Sequence, residues 1–197
     1  MPASYDKVIL HAVWSTKYRL PQIDGRIEES LHKIIAQLFK DQGCLIYAVN
    51  GTYDHVHAVF SLPRTKTVAS IMNAVKSKSS GWVHKRRGEY EAFAWQDGYG
   101  VFSVDYRKKE EIINYVRRQK EHHNLLPTTS PDAMNWTFRE EFTRFLQVFG
   151  HADFPEKYVF PDPPKQKSDS DNTLTILSDI LTPFGEKNST PPRPLPF

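Results

Sequence analysis

Apolar and polar positions divide the first two-thirds of the chain into a short series of elements. Residues 5–15 (Tyr-Asp-Lys-Val-Ile-Leu-His-Ala-Val-Trp-Ser) are rich in β-branched and aromatic types and predict a buried strand. Behind Asp24, a capping residue, Ile27, Leu31, Ile34, Ile35 and Leu38 recur at helical spacing, and Gly43 ends that helix. Residues 45–50 predict a second strand, Asn50-Gly51 a turn, and residues 56–62 a third strand that Pro63 stops. From about Thr67, the positions Val68, Ile71, Met72, Val75 and Trp82 mark a second amphipathic helix. Gly98-Tyr99-Gly100 leads into a fourth strand, 101–104, and residues 105 to about 124 read as a third helix. The order β-α-β-β-α-β predicts the α+β class: a ferredoxin-like (split βαβ) antiparallel sheet with two helices on one face. The added helix would then pack on the other face or at an edge.

Past Pro127 the pattern changes. Phe138, Phe142, Phe145, Leu146 and Phe149 predict one more helix, capped within 135–137. From Pro161 onward prolines, serines and charges dominate, and only 174–181 is apolar enough for a short segment. These shifts divide the chain into a domain at 1–130, a helical extension at 131–161 and a proline-rich, disordered tail at 162–197.

Composition narrows the class. At 197 residues, 39% hydrophobic and 25% charged, the chain can bury its own core. No stretch approaches the ~20 apolar residues of a membrane span, and residues 1–6 lack the pattern of a secretory signal. A single cysteine, Cys44, excludes an internal disulfide. The expected location is the cytoplasm, with no membrane partner. The net charge of +3 is modest, but its distribution is uneven: between Arg64 and Gly88 lie seven Lys or Arg and no acid, and Arg107–Lys120 holds a second cluster. Such concentrations attract phosphate backbones; a solvated helix face is the plainer reading.

Two groups of residues carry candidate chemistry. In Asp54-His55-Val56-His57, alternation along a strand puts both imidazoles on one face and Val56, Ala58, Phe60 and Leu62 on the other. The strand would bury its apolar row and display two imidazoles, a natural pair of metal ligands, although two histidines also alternate by chance. On the third helix, Tyr115 and Gln119 lie only ~40° apart, on the margin of the stripe formed by Ile112, Ile113 and Val116. They face one place without entering the core, as an amphipathic tyrosine with a solvated glutamine also would.

Taken in order, five segments make the sequence similar to the HUH-endonuclease superfamily, in particular the single-tyrosine transposases of the REP-associated type. They are His11-Ala-Val-Trp-Ser-Thr-Lys-Tyr-Arg19; Asp54-His-Val-His57; Trp95-Gln-Asp-Gly-Tyr-Gly-Val-Phe-Ser103; Tyr115-Val-Arg-Arg-Gln119 with Glu121-His-His123; and Phe138-Arg-Glu-Glu-Phe142. The resemblance implies that His55 and His57 are metal ligands, Gln119 the third ligand and Tyr115 the nucleophile. It also implies Mg²⁺ or Mn²⁺ as the ion and hairpin-forming single-stranded DNA as substrate. The products would be a 5′-phosphotyrosine and a free 3′-hydroxyl, and the enzyme a homodimer joined at a sheet edge. Lys76, Lys78, Lys85, Arg86, Arg87 and Arg118 are the candidate DNA contacts, and Trp82 or Tyr99 could stack on bases or simply pack. Two other functions stay open: a catalytically silent DNA-binding protein, and a metal-dependent phosphodiesterase in which water attacks. Tyr106, ahead of the third helix, is the rival nucleophile.

Overall fold

The computed structural model describes residues 5–86, 88–123, 137–151 and 153–163. Four strands, β1 (Ile9–Ser15), β2 (Ile46–Gly51), β3 (His55–Ser61) and β4 (Gly100–Ser103), form one sheet in the order β2-β3-β1-β4, every neighbouring pair antiparallel. This is the predicted split-βαβ arrangement. Helices α1 (Glu28–Asp41) and α2 (Val68–His84) cover one face. There Leu10, Ala12 and Trp14 of β1 and Val56, Ala58 and Phe60 of β3 meet Ile35, Phe39, Met72 and Val75.

Local chemistry sets the ends. Asp24 makes the turn ahead of α1 rather than its cap: its carboxylate accepts the Arg26 N–H at 2.9 Å, and the helix begins four residues later. Gly43, at φ 84°, takes the left-handed conformation that releases the chain from α1. Thr67 caps α2 through the Ser70 N–H.

The predicted third helix is divided. A single turn at 106–108 precedes α3 (Lys109–Arg117), and Arg118, at φ −100° and ψ 21°, separates α3 from the short α4 (Gln119–His122). The Arg118 N–H reaches both Asn114 O and Tyr115 O, so the last turn of α3 tightens before the chain continues. Both helices pack on the sheet face opposite α1 and α2, together with α5 (Phe138–Val148) and the short α6 (Glu156–Val159). Thr137 caps α5 in a reciprocal box with Glu140. The phenylalanines of α5 form a second core with Ile9, Val13, Val59 and Phe102. Residues 131–161 were expected as an extension; their described part instead completes this second layer. The predicted tail lies outside the described residues from 164 onward.

Two positions make the layers testable. A Cβ on Gly100 would stand 2.6 Å from Phe142 of α5 and 3.0 Å from Phe102. Gly100→Ala should therefore push α5 outward and cost about 1–3 kcal/mol of stability in denaturant titration, as overpacking does. His32 on α1 has its pKa drawn down to about 4, chiefly by burial. The unfolded chain takes up this proton near pH 6.5, so stability should fall as pH drops from 6.5 to about 4. His32 contributes at most about 3 kcal/mol of that loss. His32→Gln should flatten the decline in pH-dependent melts.

No helix among the described residues is long and apolar enough to cross a membrane.

Candidate active site

β3 sends His55 and His57 to the face beneath α3–α5, and β1 adds His11 through the pairing of Val13 with His57. His55 is oriented from behind. Its Nδ1 lies 2.7 Å from Asp54 Oδ1 and 2.9 Å from Thr52 Oγ1, and the Thr52 hydroxyl donates to Asp54 at 2.9 Å. A carboxylate accepting the Nδ1 proton leaves a lone pair on Nε2. That lone pair faces Gln119 Oε1 at 3.4 Å and Glu141 Oε2 at 3.5 Å. His57 is braced in the same manner by His11, Nδ1 to Nε2 at 2.9 Å, and its Nε2 lies 3.2 Å from Glu141 Oε2.

Glu141 stands at the centre. Its Oε1 accepts hydrogen bonds from the Tyr115 hydroxyl and, at 3.1 Å, from Gln119 Nε2; its Oε2 also lies 3.4 Å from His123 Nε2. Phe145, fully buried, locks α5 over the cluster with ring centroids 5.2 Å from His11 and 6.1 Å from Tyr115.

Burial governs protonation. It pushes His11 and His57 below the usual imidazole range, with the neighbouring Glu141 charge only partly opposing it, so both rings are neutral at pH 7. Burial, and then the Glu141 charge, lifts Tyr115 well above an ordinary phenol. For Glu141 burial opposes the charge, but the adjacent His57 and the side-chain bonds of His123 and His57 outweigh it, and its carboxyl stays well below its usual range. Neutral imidazoles and a carboxylate are the forms a metal ion needs. The arrangement fits a cation on its own terms: His55 Nε2, Gln119 Oε1 and Glu141 Oε2 are three acceptors converging at 3.4–3.5 Å with no proton to share.

His55, His57, Tyr115 and Gln119 thus meet within one chain. Two expectations need correction. The histidine face is not displayed, and Tyr115 and Gln119 do not stay out of the core: His55, His57 and Gln119 have 0% exposure and Tyr115 8%. The cause is α5, which folds back over the sheet and covers all four.

Lys76 is the other departure. Its ammonium donates to the carbonyls of Gln96 at 2.7 Å and Gly98 at 2.5 Å, so it ties down a loop instead of facing solvent. Lys78, Lys85 and Arg86 are exposed, but α2 lies across the sheet from the histidines. Arg86 stacks on Trp82 at 3.8 Å, covering one face of the ring. Arg118, beside Gln119, pairs with Glu121 at 2.7 Å. Arg87 lies outside the described residues.

Glu141 and His11 were not assigned roles from sequence, and His123, one turn past Gln119, was left open between supporting the site, contacting phosphate and neither. Glu141 follows Phe138 by three residues and precedes Phe145 by four, an acid on an apolar stripe. His123 continues the four-residue spacing of Tyr115 and Gln119. Both signals were present.

The family model of the IS200-like transposases matches residues 4–119, more than half of the chain. The chain belongs to this family. Its curated relatives include the transposase for insertion sequence element IS200 of Salmonella typhimurium, 25% identical over 120 residues, covering 58% of this chain and 78% of the relative. The ISDra2 transposase TnpA of Deinococcus radiodurans is 20% identical over 114 residues, 55% of this chain and 81% of TnpA. Among solved structures, a candidate transposase from Deinococcus radiodurans is 19% identical, covers 60% of this chain and 95% of its own, and superposes with a TM-score of 0.49. A REP-associated tyrosine transposase bound to a REP hairpin is 15% identical, with 94% and 98% covered and a TM-score of 0.49. Membership makes the chain a tyrosine transposase of the HUH type, a DNA-cleaving enzyme. The family match ends at Gln119, so both His123 and Glu141 lie beyond it.

Proposed function

We propose that this IS200-like transposase cuts and rejoins single-stranded DNA at hairpin-associated sites through a 5′-phosphotyrosine on Tyr115. His55, His57 and Gln119 would hold Mg²⁺ or Mn²⁺. The observation that supports it most directly is the meeting of the phenol and the paired imidazoles on one carboxylate, all within a single chain.

The ion supplies a Lewis acid that withdraws charge from the scissile phosphate. The chain does the rest. Asp54 and His11 fix the imidazoles from behind, and Gln119 presents its amide oxygen to them because its nitrogen is committed to Glu141. The Tyr115 oxygen bonds to phosphorus, the 3′ oxygen leaves and ends as a hydroxyl, and a second 3′-hydroxyl reverses the step to join new ends. With every group buried, DNA can enter only when α5 lifts from the sheet. Lys78, Lys85 and Arg86 remain the backbone contacts of this reading, with Arg87 and Arg118; their position across the sheet requires the DNA to wrap an edge. A homodimer would join along β2 or β4, the strands that end the sheet.

The test is incubation of the full chain with an end-labelled single-stranded hairpin and Mn²⁺. The expected product is a protein–DNA adduct that survives denaturant and carries the strand 3′ of the cut. Cutting without an adduct at any time point would mean that water attacks, and hairpin binding with neither cutting nor adduct would mean a silent binder.

A further inference from the structure

We propose that Glu141 and His123 are themselves ligands of the divalent ion in the closed enzyme, extending the His55, His57 and Gln119 set to five donors. This rests on the metal-dependent reading above and adds to it two residues that lie outside the family match.

The first argument is spacing. Donors bonded to one ion at about 2.1 Å stand about 3.0–3.4 Å apart for octahedral to tetrahedral angles. Around Glu141 Oε2 the separations are 3.2 Å to His57 Nε2, 3.4 Å to His123 Nε2 and 3.5 Å to His55 Nε2; His55 Nε2 and Gln119 Oε1 add a further 3.4 Å. Three of these four separations fall within that range, and the one between His55 and Glu141, at 3.5 Å, lies just outside it. The donor atoms of His55, His123 and Glu141 all fall within 4.8 Å of one another; His57 stands outside that group and meets it at Glu141 Oε2, 3.2 Å away.

The second argument is burial. Glu141 is 1% exposed and sits on the apolar stripe of α5, between Phe138 and Phe145. A carboxylate there is costly unless charge opposes it. A divalent ion held by this carboxylate would supply that opposing charge.

Two consequences follow. Three imidazoles and a carboxylate favour a transition ion over magnesium, so Mn²⁺ should bind more tightly than Mg²⁺. And because Glu141 rides on α5, the ion clasps α5 to the sheet, one carboxylate oxygen on the ion and the other on Tyr115.

Calorimetric titration of the full chain with Mn²⁺ and with Mg²⁺, without DNA, reads the first part. Glu141→Gln, nearly isosteric, and His123→Ala should each weaken Mn²⁺ binding at least about tenfold. Electron spin-echo spectroscopy of bound Mn²⁺ should count three imidazole nitrogens in the wild type and two in His123→Ala. Amide exchange should slow in α5 when Mn²⁺ is added to the wild type but not to Glu141→Gln. Wild-type affinity in both variants, or two nitrogens in the wild-type spectrum, would overturn the proposal and leave the transposase reading intact. Failure of the wild type to bind either ion would sink the metal-dependent reading as well.

Discussion

Tyr115→Phe keeps the fold and forms no covalent adduct, and strand cleavage falls by roughly 10³-fold or more, the scale expected when a nucleophile is deleted. The change removes one oxygen. That oxygen donates to Glu141 Oε1, which keeps the Gln119 amide as its other donor at 3.1 Å. Stability should therefore drop by about 1–3 kcal/mol, the cost of a buried acceptor that loses one partner. The two readouts separate roles. A structural tyrosine would show the stability loss alone, whereas a nucleophile shows it with the collapse of cleavage. An adduct at wild-type yield in Tyr115→Phe would move the nucleophile elsewhere. Tyr106 is poorly placed to inherit it: it is 59% exposed, with Lys7 and Lys109 over its ring. Alkaline pH would not rescue the closed enzyme readily. Burial and Glu141 raise the Tyr115 pKa, so the phenol holds its proton to higher pH in the folded chain than in the unfolded one. Its contribution to stability is full below about pH 10 and is lost as pH rises toward the folded value.

The strand chemistry was legible because alternation is local. Once Val56, Ala58 and Phe60 were assigned to the helix-covered face, His55 and His57 had to share the other, and the pairing of β3 with β1 and β2 follows from the split-βαβ order. Tyr115 and Gln119 were legible for a similar reason, four residues apart on one helical path. What periodicity could not show was where a later helix lands. The stripe of Phe138, Phe142 and Phe145 announced a buried helix, but not that its partner surface was the histidine face. The exposure of the site was therefore misjudged. Lys76 failed for a different cause. Charge clusters mark where cations are, not which of them a nearby carbonyl will claim, and the turn at 96–98 offered two. Glu141 is the instructive case: an acid at a core position of an amphipathic helix conflicts with its surroundings, and such conflicts concentrate at functional sites.

The same conflict sets the second large effect. His57→Ala should destabilise the metal-free protein by about 3–5 kcal/mol, far more than the loss of an imidazole from a surface strand, because it strips a partner from a buried carboxylate. His57 is fully buried between His11 and Glu141, so its removal also leaves His11 Nε2 without its hydrogen-bond partner and opens a cavity beneath Phe145. The charge on Glu141 is the dominant cost, which makes the effect separable. Glu141→Gln in the His57→Ala background removes the charge and should recover part of the loss, with a coupling of about 1–3 kcal/mol in the double-mutant cycle. Acid should act in the same sense. The depressed Glu141 pKa supplies stability above the ordinary carboxylate range that is lost as pH falls toward the folded value, so the gap between wild type and His57→Ala should narrow below about pH 4.3. Denaturant titrations of the four proteins in chelator, at neutral and acid pH, measure both. If His57→Ala and Glu141→Gln are additive and the gap is independent of pH, then the carboxylate is not held by this imidazole and the geometry of the site has been misread.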